Sequence, residues 1–179
     1  MAAVAACGGD VLIKNVIPKH LECIGTKLED MGDKVEMYDD SVRIIRNGPL
    51  RHTNLKTMPY PGFPTDMHPQ MAAAMVLADG SSHITEGVWP NRFRYAEELE
   101  KMGAHISVFK ETAVIEGVPD LFGTDVVAHD LRAGAAMVIA GLAAQGVTTI
   151  SNIGYVERGY ENLVEKVCGI GGEMERVNE

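Results

Sequence analysis

Two kinds of helical pattern alternate along the chain, separated by short runs of strand composition. Residues 71–78 and 133–144 are apolar on every face, which predicts helices that are buried on all sides. Residues 21–28 and 97–102 instead carry one apolar stripe with charge opposite, which predicts helices with one face in water. The all-apolar helices are rich in alanine and methionine, so we expect them to pack closely and form the core.

This pattern recurs, which indicates internal repetition. Each copy contains an apolar helix ending in glycine, a strand-like run, a polar turn, an amphipathic helix and a second strand-like run. The predicted elements are 2–9, 11–16, 18–31 and 34–38 in the first copy, 67–80, 83–86, 92–102 and 105–109 in the second, and 131–146, 148–151, 159–169 and 173–177 in the third. Linking segments 41–46, 53–57, 113–116 and 125–128 have strand composition and would complete the sheets.

The repeats predict an α/β fold in a single domain of three units, at about 1–60, 61–120 and 121–179. We expect the units to surround a pseudo-threefold axis, with sheets outside and the Ala-rich helices inside. The first apolar segment starts without a cap and runs directly into glycines, as the tail of a longer helix would. The sequence therefore predicts a domain that is truncated at its N-terminus.

Composition narrows the functional class. The chain of 179 residues has 16 basic and 25 acidic side chains, and its net charge of −9 disfavours binding to nucleic acid or to an anionic membrane. Three cysteines without CxxC spacing, Cys7, Cys23 and Cys168, indicate neither a disulfide framework nor a zinc site. No apolar run reaches the roughly 20 residues that span a bilayer, and no signal-peptide layout is present. We expect a soluble, cytoplasmic protein.

Residues 61–67 (PGFPTDM) are the most informative segment, because they bring one carboxylate, Asp66, to the start of a buried helix. Two prolines fix φ, and Gly62 is free to adopt positive φ, so the segment predicts a shaped loop. Thr65 or Asp66 is well placed to cap the helix, which is an ordinary structural role. The alternative is that Asp66 serves a site.

Three arginines lie at turns that the repeats place at helix entrances. The free N–H groups at such entrances favour anions and disfavour cations. A functional role therefore explains the positions of Arg92, Arg132 and Arg158 better than a contribution to helix stability. Ion pairing with Asp130 or Glu157 is the simpler alternative for each arginine alone. Two such guanidinium groups would suit a phosphorylated carboxylic acid, and a carboxylate nearby would suit a general base for a sugar hydroxyl.

The histidines show no metal-ligand spacing, and we expect no metal and no cofactor. Each is predicted to be a surface side chain or a satisfied internal group. They are His20, His52, His68, His83, His105 and His129.

Four motifs together resemble the UDP-N-acetylglucosamine enolpyruvyl transferases, and the similarity runs over essentially the whole chain. They are residues 61–67 (PGFPTDM), 84–93 (ITEGVWPNRF), 130–132 (DLR) and 157–161 (ERGYE). The resemblance implies an inside-out α/β prism, of which the enzyme has two that close on substrate. It implies transfer of the enolpyruvyl group of phosphoenolpyruvate to the 3-hydroxyl of UDP-N-acetylglucosamine, with release of phosphate, in peptidoglycan synthesis.

The resemblance also assigns roles to residues of this chain. Asp66 matches an acidic residue at the sugar 3-hydroxyl, a proposed base, while Arg132 and Arg158 match arginines that hold phosphoenolpyruvate. The remaining matches are further substrate contacts: Val88, a backbone contact to the nucleotide sugar, Arg92, an active-site arginine, Asp130, an acid close to the reacting centre, and its neighbour Leu131.

Some family features have no counterpart here. The N-terminal domain, with its loop cysteine and further arginines, is missing, so this chain alone would be the inactive C-terminal half of the enzyme. His68 stands where glutamine is usual, and Trp89 and Pro90 where an aromatic and an acidic residue are expected. Two alternatives remain open: the sister transferase that acts on shikimate phosphate, and a non-catalytic module that binds a nucleotide sugar.

Overall fold

The computed structural model describes residues 1–177, which form a mixed α/β fold as predicted. Single turns of 3-10 helix occur at Pro18–His20 and Thr65–Met67. In chain order the other elements are α1 Ala2–Cys7, β1 Gly9–Lys14, α2 Glu22–Asp30, β2 Lys34–Met37, β3 Ser41–Arg46, β4 Leu50–Arg51, β5 Asn54–Lys56, α3 His68–Met75, β6 Ala78–Asp79, β7 Ser81–Thr85, α4 Tyr95–Lys101, β8 His105–Phe109, β9 Thr112–Glu116, β10 Asp125–Val127, α5 Leu131–Ala143, β11 Thr149–Ser151, α6 Gly154–Gly159 and α7 Leu163–Gly169.

Three Ala-rich helices form the centre of the domain. Helices α1, α3 and α5 each pack against the other two. Every residue of α3 is buried, and so is the run of α5 from Ala133 to Ala140. The burial predicted for 71–78 and 133–144 is therefore confirmed at 71–76, Ala78 and 133–140, whereas Leu77 and residues 141–144 are only partly buried. Because these helices contain many alanines, their backbones can approach closely, and little space remains for a larger side chain at the buried positions.

The sheets repeat one topology. Strands β1, β3 and β2 form an antiparallel sheet with β3 in the middle, and β7, β9 and β8 form another with β9 in the middle. A strand before each of α3 and α5 runs parallel to a strand that follows the same helix, as β5 does beside β7 and β10 beside β11. A short parallel pair, β4 with β6, forms a separate two-stranded sheet and was not predicted.

The third copy departs from the prediction. The expected strand at 173–177 is absent, which makes that prediction wrong. A strand needs a partner, and no counterpart of the middle strands β3 and β9 exists among residues 131–177. The helix predicted at 159–169 is confirmed only over α7, at 163–169, because α6 ends at Gly159 and the two helices are separated by residues 160–162, where Asn162 has a φ of +50°. Asn178 and Glu179 lie outside the described residues, and the proposed unit boundaries stay predictions.

The loop at 61–67 is shaped, although not by the expected glycine conformation. The Tyr60–Pro61 peptide bond is cis, and Gly62 does not adopt positive φ. A Cβ at Gly62 would lie 2.6 Å from the Cβ of Met58, so glycine is needed there for space.

Within residues 1–177, no helix is both long enough and apolar enough to cross a bilayer.

Gly117, directly after β9, provides a test of how closely this end of β9 packs on strand β6. A Cβ at this position would lie 1.7 Å from the carbonyl oxygen of Ala78, a backbone atom that has no room to move. We expect Gly117→Ala to lower the free energy of unfolding by about 3 kcal/mol, as overpacking against backbone does. Gly48→Ala is the matched control, because nothing lies within 4 Å of its Cβ. Urea denaturation measures both, and equal stabilities would contradict this packing.

Candidate active site

A carboxylate and a guanidinium from two different units meet where α3 and α5 begin. Asp66, in the turn that precedes α3, pairs with Arg132, the second residue of α5. Arg132 Nη2 donates to Asp66 Oδ2 at 2.7 Å, and Arg132 Nε contacts Oδ1 of the same carboxylate. This contact raises the pKa of the Arg132 guanidinium above its ordinary value. The packing of α3 on α5 therefore brings together residues that are far apart in sequence.

Arg92 completes a cluster of three charged side chains. Its Nη1 lies 3.9 Å from Asp66 Oδ1. The Asp66 side chain is 55% exposed, whereas the side chains of Arg92 and Arg132 are 27% and 31% exposed. The carboxylate is thus held by two cations and still reachable from solvent. A small pocket beside it is lined by His68, Pro69, Arg92, Tyr95, Asp130, Arg132 and Ala133.

Asp66 is not a helix cap, so the capping alternative is wrong for both residues of the turn. Helix α3 has no side-chain hydrogen bond at its N-terminus. The Asp66 carboxylate points to Arg132, and the Thr65 hydroxyl donates to Glu86 at 2.7 Å. Asp66 is an exposed acid, and its hydrogen bonds go to an arginine and not to the N–H groups of its own helix. A role in a site explains this better than a contribution to helix stability.

Asp130 does have a capping role. Its Oδ1 accepts hydrogen bonds from the backbone N–H groups of Arg132 at 2.8 Å and Ala133 at 2.9 Å. The ion pair considered between Arg132 and Asp130 is not formed, since the Arg132 guanidinium faces Asp66. Asp130 lines the pocket beside Arg92 and Arg132, so it lies near the cluster that the sequence predicted. It fixes the backbone from which Arg132 projects.

Arg158 lies apart from the three clustered charges. The prediction that it sits at a helix N-terminus is wrong, because it occupies the last turn of α6, where a cation is electrostatically favourable. Among residues 1–177 it forms no ion pair, and its guanidinium lies 5.9 Å from the centre of the Tyr155 ring. Its neighbour Gly159 packs on Leu131, where an added Cβ would lie 2.5 Å from Leu131 Cδ1. This contact places α6 beside the start of α5.

Val88 belongs to a segment that a buried glutamate holds in place. Glu86 is 4% exposed and follows β7. Its Oε1 accepts from the backbone N–H groups of Val88 at 2.7 Å and Trp89 at 3.0 Å. Sequence reasoning did not single out Glu86, although it lies inside the motif ITEGVWPNRF. A glutamate directly after a buried strand, followed by glycine, was the available signal.

His68 is buried completely, so the expectation of a surface or satisfied histidine holds only in part. Its Nδ1 lies 3.2 Å from the Tyr95 hydroxyl, while its Nε2 lies 3.3 Å from Glu86 Oε2 without hydrogen-bond geometry. Burial lowers the pKa of His68 to about 4, despite the opposing effect of the Glu86 charge. The imidazole is therefore neutral at pH 7 and adds no charge to the site.

Comparison with known proteins identifies the family to which the chain belongs. Residues 1–167 match the family described as EPSP synthase (3-phosphoshikimate 1-carboxyvinyltransferase). The chain belongs to the EPSP synthase family. It is 54% identical over its whole length to a UDP-N-acetylglucosamine 1-carboxyvinyltransferase of Caldanaerobacter subterraneus, and 50% identical over 98% of its length to one of Desulfofundulus thermocisternus. The resemblance found in the motifs is thereby confirmed.

The chain is shorter than each of these members of the EPSP synthase family. It spans 43% of the length of the Caldanaerobacter relative, 42% of one from Carboxydothermus hydrogenoformans and 72% of the Desulfofundulus relative. Activity and substrates of the longer proteins are therefore not transferred to it directly.

Solved structures agree with the family on the fold. The enolpyruvyl transferase NikO of Streptomyces tendae matches 96% of the chain with a TM-score of 0.85 and 30% identity, and the chain covers 42% of it. EPSP synthase from Acinetobacter baumannii matches 83% of the chain with a TM-score of 0.60, but at 18% identity it shows the fold alone. The predicted enolpyruvyl transferase type of fold is confirmed.

Metal-binding clusters and disulfide bonds are both absent from residues 1–177. Residues 1–177 contain no cluster of three or more His, Cys, Asp or Glu side chains arranged for a metal ion. All three cysteines are free, and burial raises the pKa of Cys7 and Cys23. The available chemistry is that of one carboxylate and several guanidinium groups, which suits proton transfer beside a bound anion.

The two acids of the site provide a stability test. We expect Asp130→Ala to lower the free energy of unfolding by about 1–2 kcal/mol, because it removes the cap of α5. Asp66→Ala should change it by at most about 0.5 kcal/mol, because an exposed ion pair contributes little. Urea denaturation of the two variants measures this. If Asp66→Ala costs as much as Asp130→Ala, then Asp66 is a structural residue.

Proposed function

We propose that this chain carries one half of an active site that transfers the enolpyruvyl group of phosphoenolpyruvate to the 3-hydroxyl of UDP-N-acetylglucosamine, releasing phosphate. The observation that carries the proposal is the half-exposed Asp66 carboxylate held by Arg132, with Arg92 3.9 Å away. The 50–54% identity to proteins named for this reaction supports the same substrates. In this proposal the chain serves peptidoglycan synthesis, as part of a transferase.

Asp66 acts on the sugar. Its carboxylate accepts the proton of the 3-hydroxyl while the sugar oxygen bonds to the carbon of phosphoenolpyruvate that bears the phosphate, and the neighbouring methylene carbon takes up a proton from water or a general acid. Loss of a proton from the resulting methyl group restores the double bond as the bond to the phosphate oxygen breaks, and the phosphate departs with its electron pair. Because no electrons leave or enter overall, the reaction needs no redox cofactor.

The arginines act on the anion. Phosphoenolpyruvate carries a carboxylate and a phosphate, each of which matches the fork of an arginine. Arg132 already forms a two-point contact with a carboxylate, namely that of Asp66. An anionic substrate that takes over this guanidinium would free Asp66 to accept a proton. Arg92 supplies further positive charge beside Asp66, and the exposed Arg158, which lies apart from this cluster on α6, is a further candidate ligand for the anion.

A second lobe would complete the site. The chain spans 42–43% of the length of several relatives, which supports a half-site. The exposure of Asp66 to solvent supports it as well. General-base catalysis gains from positioning and from exclusion of water, neither of which an open surface supplies. We therefore propose that the chain alone is inactive, with the partner lobe of the enzyme and the two substrates as its partners. Both substrates carry several charges and are soluble in water, which supports a cytoplasmic location for the proposed reaction.

The alternative acceptor, shikimate phosphate, is less well supported. The family is named for that reaction, but the relatives at 50–54% identity are named for the nucleotide sugar. A non-catalytic nucleotide-sugar module would keep Val88 and its segment, and would not need a carboxylate between two arginines.

A hybrid protein tests the reaction. This chain would replace the matching 43% of the Caldanaerobacter relative, and phosphate release would be measured with phosphoenolpyruvate and UDP-N-acetylglucosamine together and singly. We expect release only with both substrates, and about 100-fold less turnover after Asp66→Asn, the usual scale for loss of a proton-transfer group.

Shikimate 3-phosphate in place of the nucleotide sugar, and the isolated chain in place of the hybrid, are the controls. A hybrid that is folded by circular dichroism but releases no phosphate would contradict the proposed reaction. Turnover by the isolated chain would contradict the half-site, and binding of the nucleotide sugar without turnover in the hybrid would favour the module.

A further inference from the structure

Glu86 carries a buried charge that no cation among residues 1–177 neutralises. Its side chain is 1% exposed, and within residues 1–177 the nearest basic group is the neutral imidazole of His68. An isolated carboxylate in such a place would be very costly, so hydrogen bonds must hold its charge. Burial alone would raise the pKa of Glu86, but hydrogen bonds from Thr65, Thr57 and two backbone amides outweigh it and lower the pKa below its ordinary value.

The two oxygens of Glu86 bind different parts of the site. Oε1 accepts from the N–H groups of Val88 and Trp89 and from the Thr57 hydroxyl at 2.7 Å. Oε2 accepts from the hydroxyl of Thr65, the residue before Asp66, also at 2.7 Å. One carboxylate thus connects the end of β5, the segment after β7 and the turn that presents the candidate base.

The surroundings leave this carboxylate little freedom to move. The Thr57 hydroxyl donates to Glu86 and also accepts from the N–H of Gly87 at 2.8 Å, and Thr57 is fully buried. A Cβ at Gly87 would lie 2.7 Å from the Thr57 carbonyl oxygen, so only glycine allows this close approach. The chain therefore folds back tightly on Thr57 immediately after Glu86.

We propose that Glu86 is a positioning residue that fixes the segment of Val88 and Trp89 relative to the Asp66 turn. The proposal rests on the proposed function for its kinetic consequence, since Val88 is assigned to the nucleotide sugar and Asp66 to the proton. Movement of either segment strains the hydrogen bonds of the other, because both end on one side chain. The position of the bound sugar and the position of the proton acceptor therefore both depend on the Glu86 carboxylate.

Hydrogen exchange of the Val88 and Trp89 amides tests the tether in the full chain without any ligand. We expect Glu86→Ala to speed exchange of these two amides by about 10- to 100-fold, the range for loss of a hydrogen bond to a charged group. Glu86→Gln keeps the shape but loses the charge, and should speed exchange by about 3- to 10-fold. The second variant covers the case in which Glu86→Ala does not fold.

Glu98→Ala is the matched control for general destabilisation. Glu98 is also buried, at 3% exposure, and accepts from the Val127 amide, Lys101 and His129, but it makes no hydrogen bond to Val88 or Trp89. It should leave exchange of the two amides within about twofold of the native rate once global stability is taken into account. Unchanged exchange in a folded Glu86→Gln variant, or equal acceleration by Glu98→Ala, would overturn the proposal.

Kinetics of the hybrid protein test the coupling. Glu86→Gln should raise the KM for UDP-N-acetylglucosamine and lower kcat, each by at least about threefold, whereas Asp66→Asn should lower kcat alone. A change in only one of the two constants for Glu86→Gln would overturn the coupling. If the hybrid has no activity at all, the proposed reaction fails while the exchange result still decides whether Glu86 holds the segment.

Discussion

Close packing of three Ala-rich helices is the constraint on which the rest of the structure depends. Because α3 and α5 contain several alanines, their backbones can approach closely, and residues at their starts touch. The contact between Asp66 and Arg132 is a direct result. The surrounding strands are also closely packed, since even a methyl group at Gly117, directly after β9, would meet the Ala78 carbonyl in β6.

The three acids of the site have different roles, two of them structural and one chemical. Asp130 caps α5 and so orients Arg132, and Glu86 is buried among donors, whereas Asp66 alone is half exposed and paired with guanidinium groups. Buried Glu86 accepts hydrogen bonds within the protein on both oxygens, and half-buried Asp130 uses its Oδ1 for the cap. Asp66 has capacity left for a substrate, which is why the three carboxylates of one small region have different roles.

The sequence predicted the parts that depend on local pattern. All-apolar helices, the alternation with strands and the meeting of Asp66, Arg92 and Arg132 all follow from repeats, because equivalent turns in related units meet at equivalent places. The capping alternative for Asp66 did not hold, and the helix position of Arg158 was predicted wrongly, since tertiary contacts override local preference. Glu86 was missed because burial of a glutamate leaves no periodic signal. The strand expected at 173–177 has the composition of a strand but lacks a partner.

The most direct test of the account is whether helix packing sets the contact between Asp66 and Arg132. Ala73, fully buried in α3, can be enlarged to leucine, and the side-chain NMR signals of the arginines then compared with those of the native chain. We predict an Arg132 guanidinium with slowed exchange in the native chain, and its loss in Ala73→Leu although the chain stays folded. A guanidinium signal that is unchanged in Ala73→Leu, or absent from the native chain, would contradict the account.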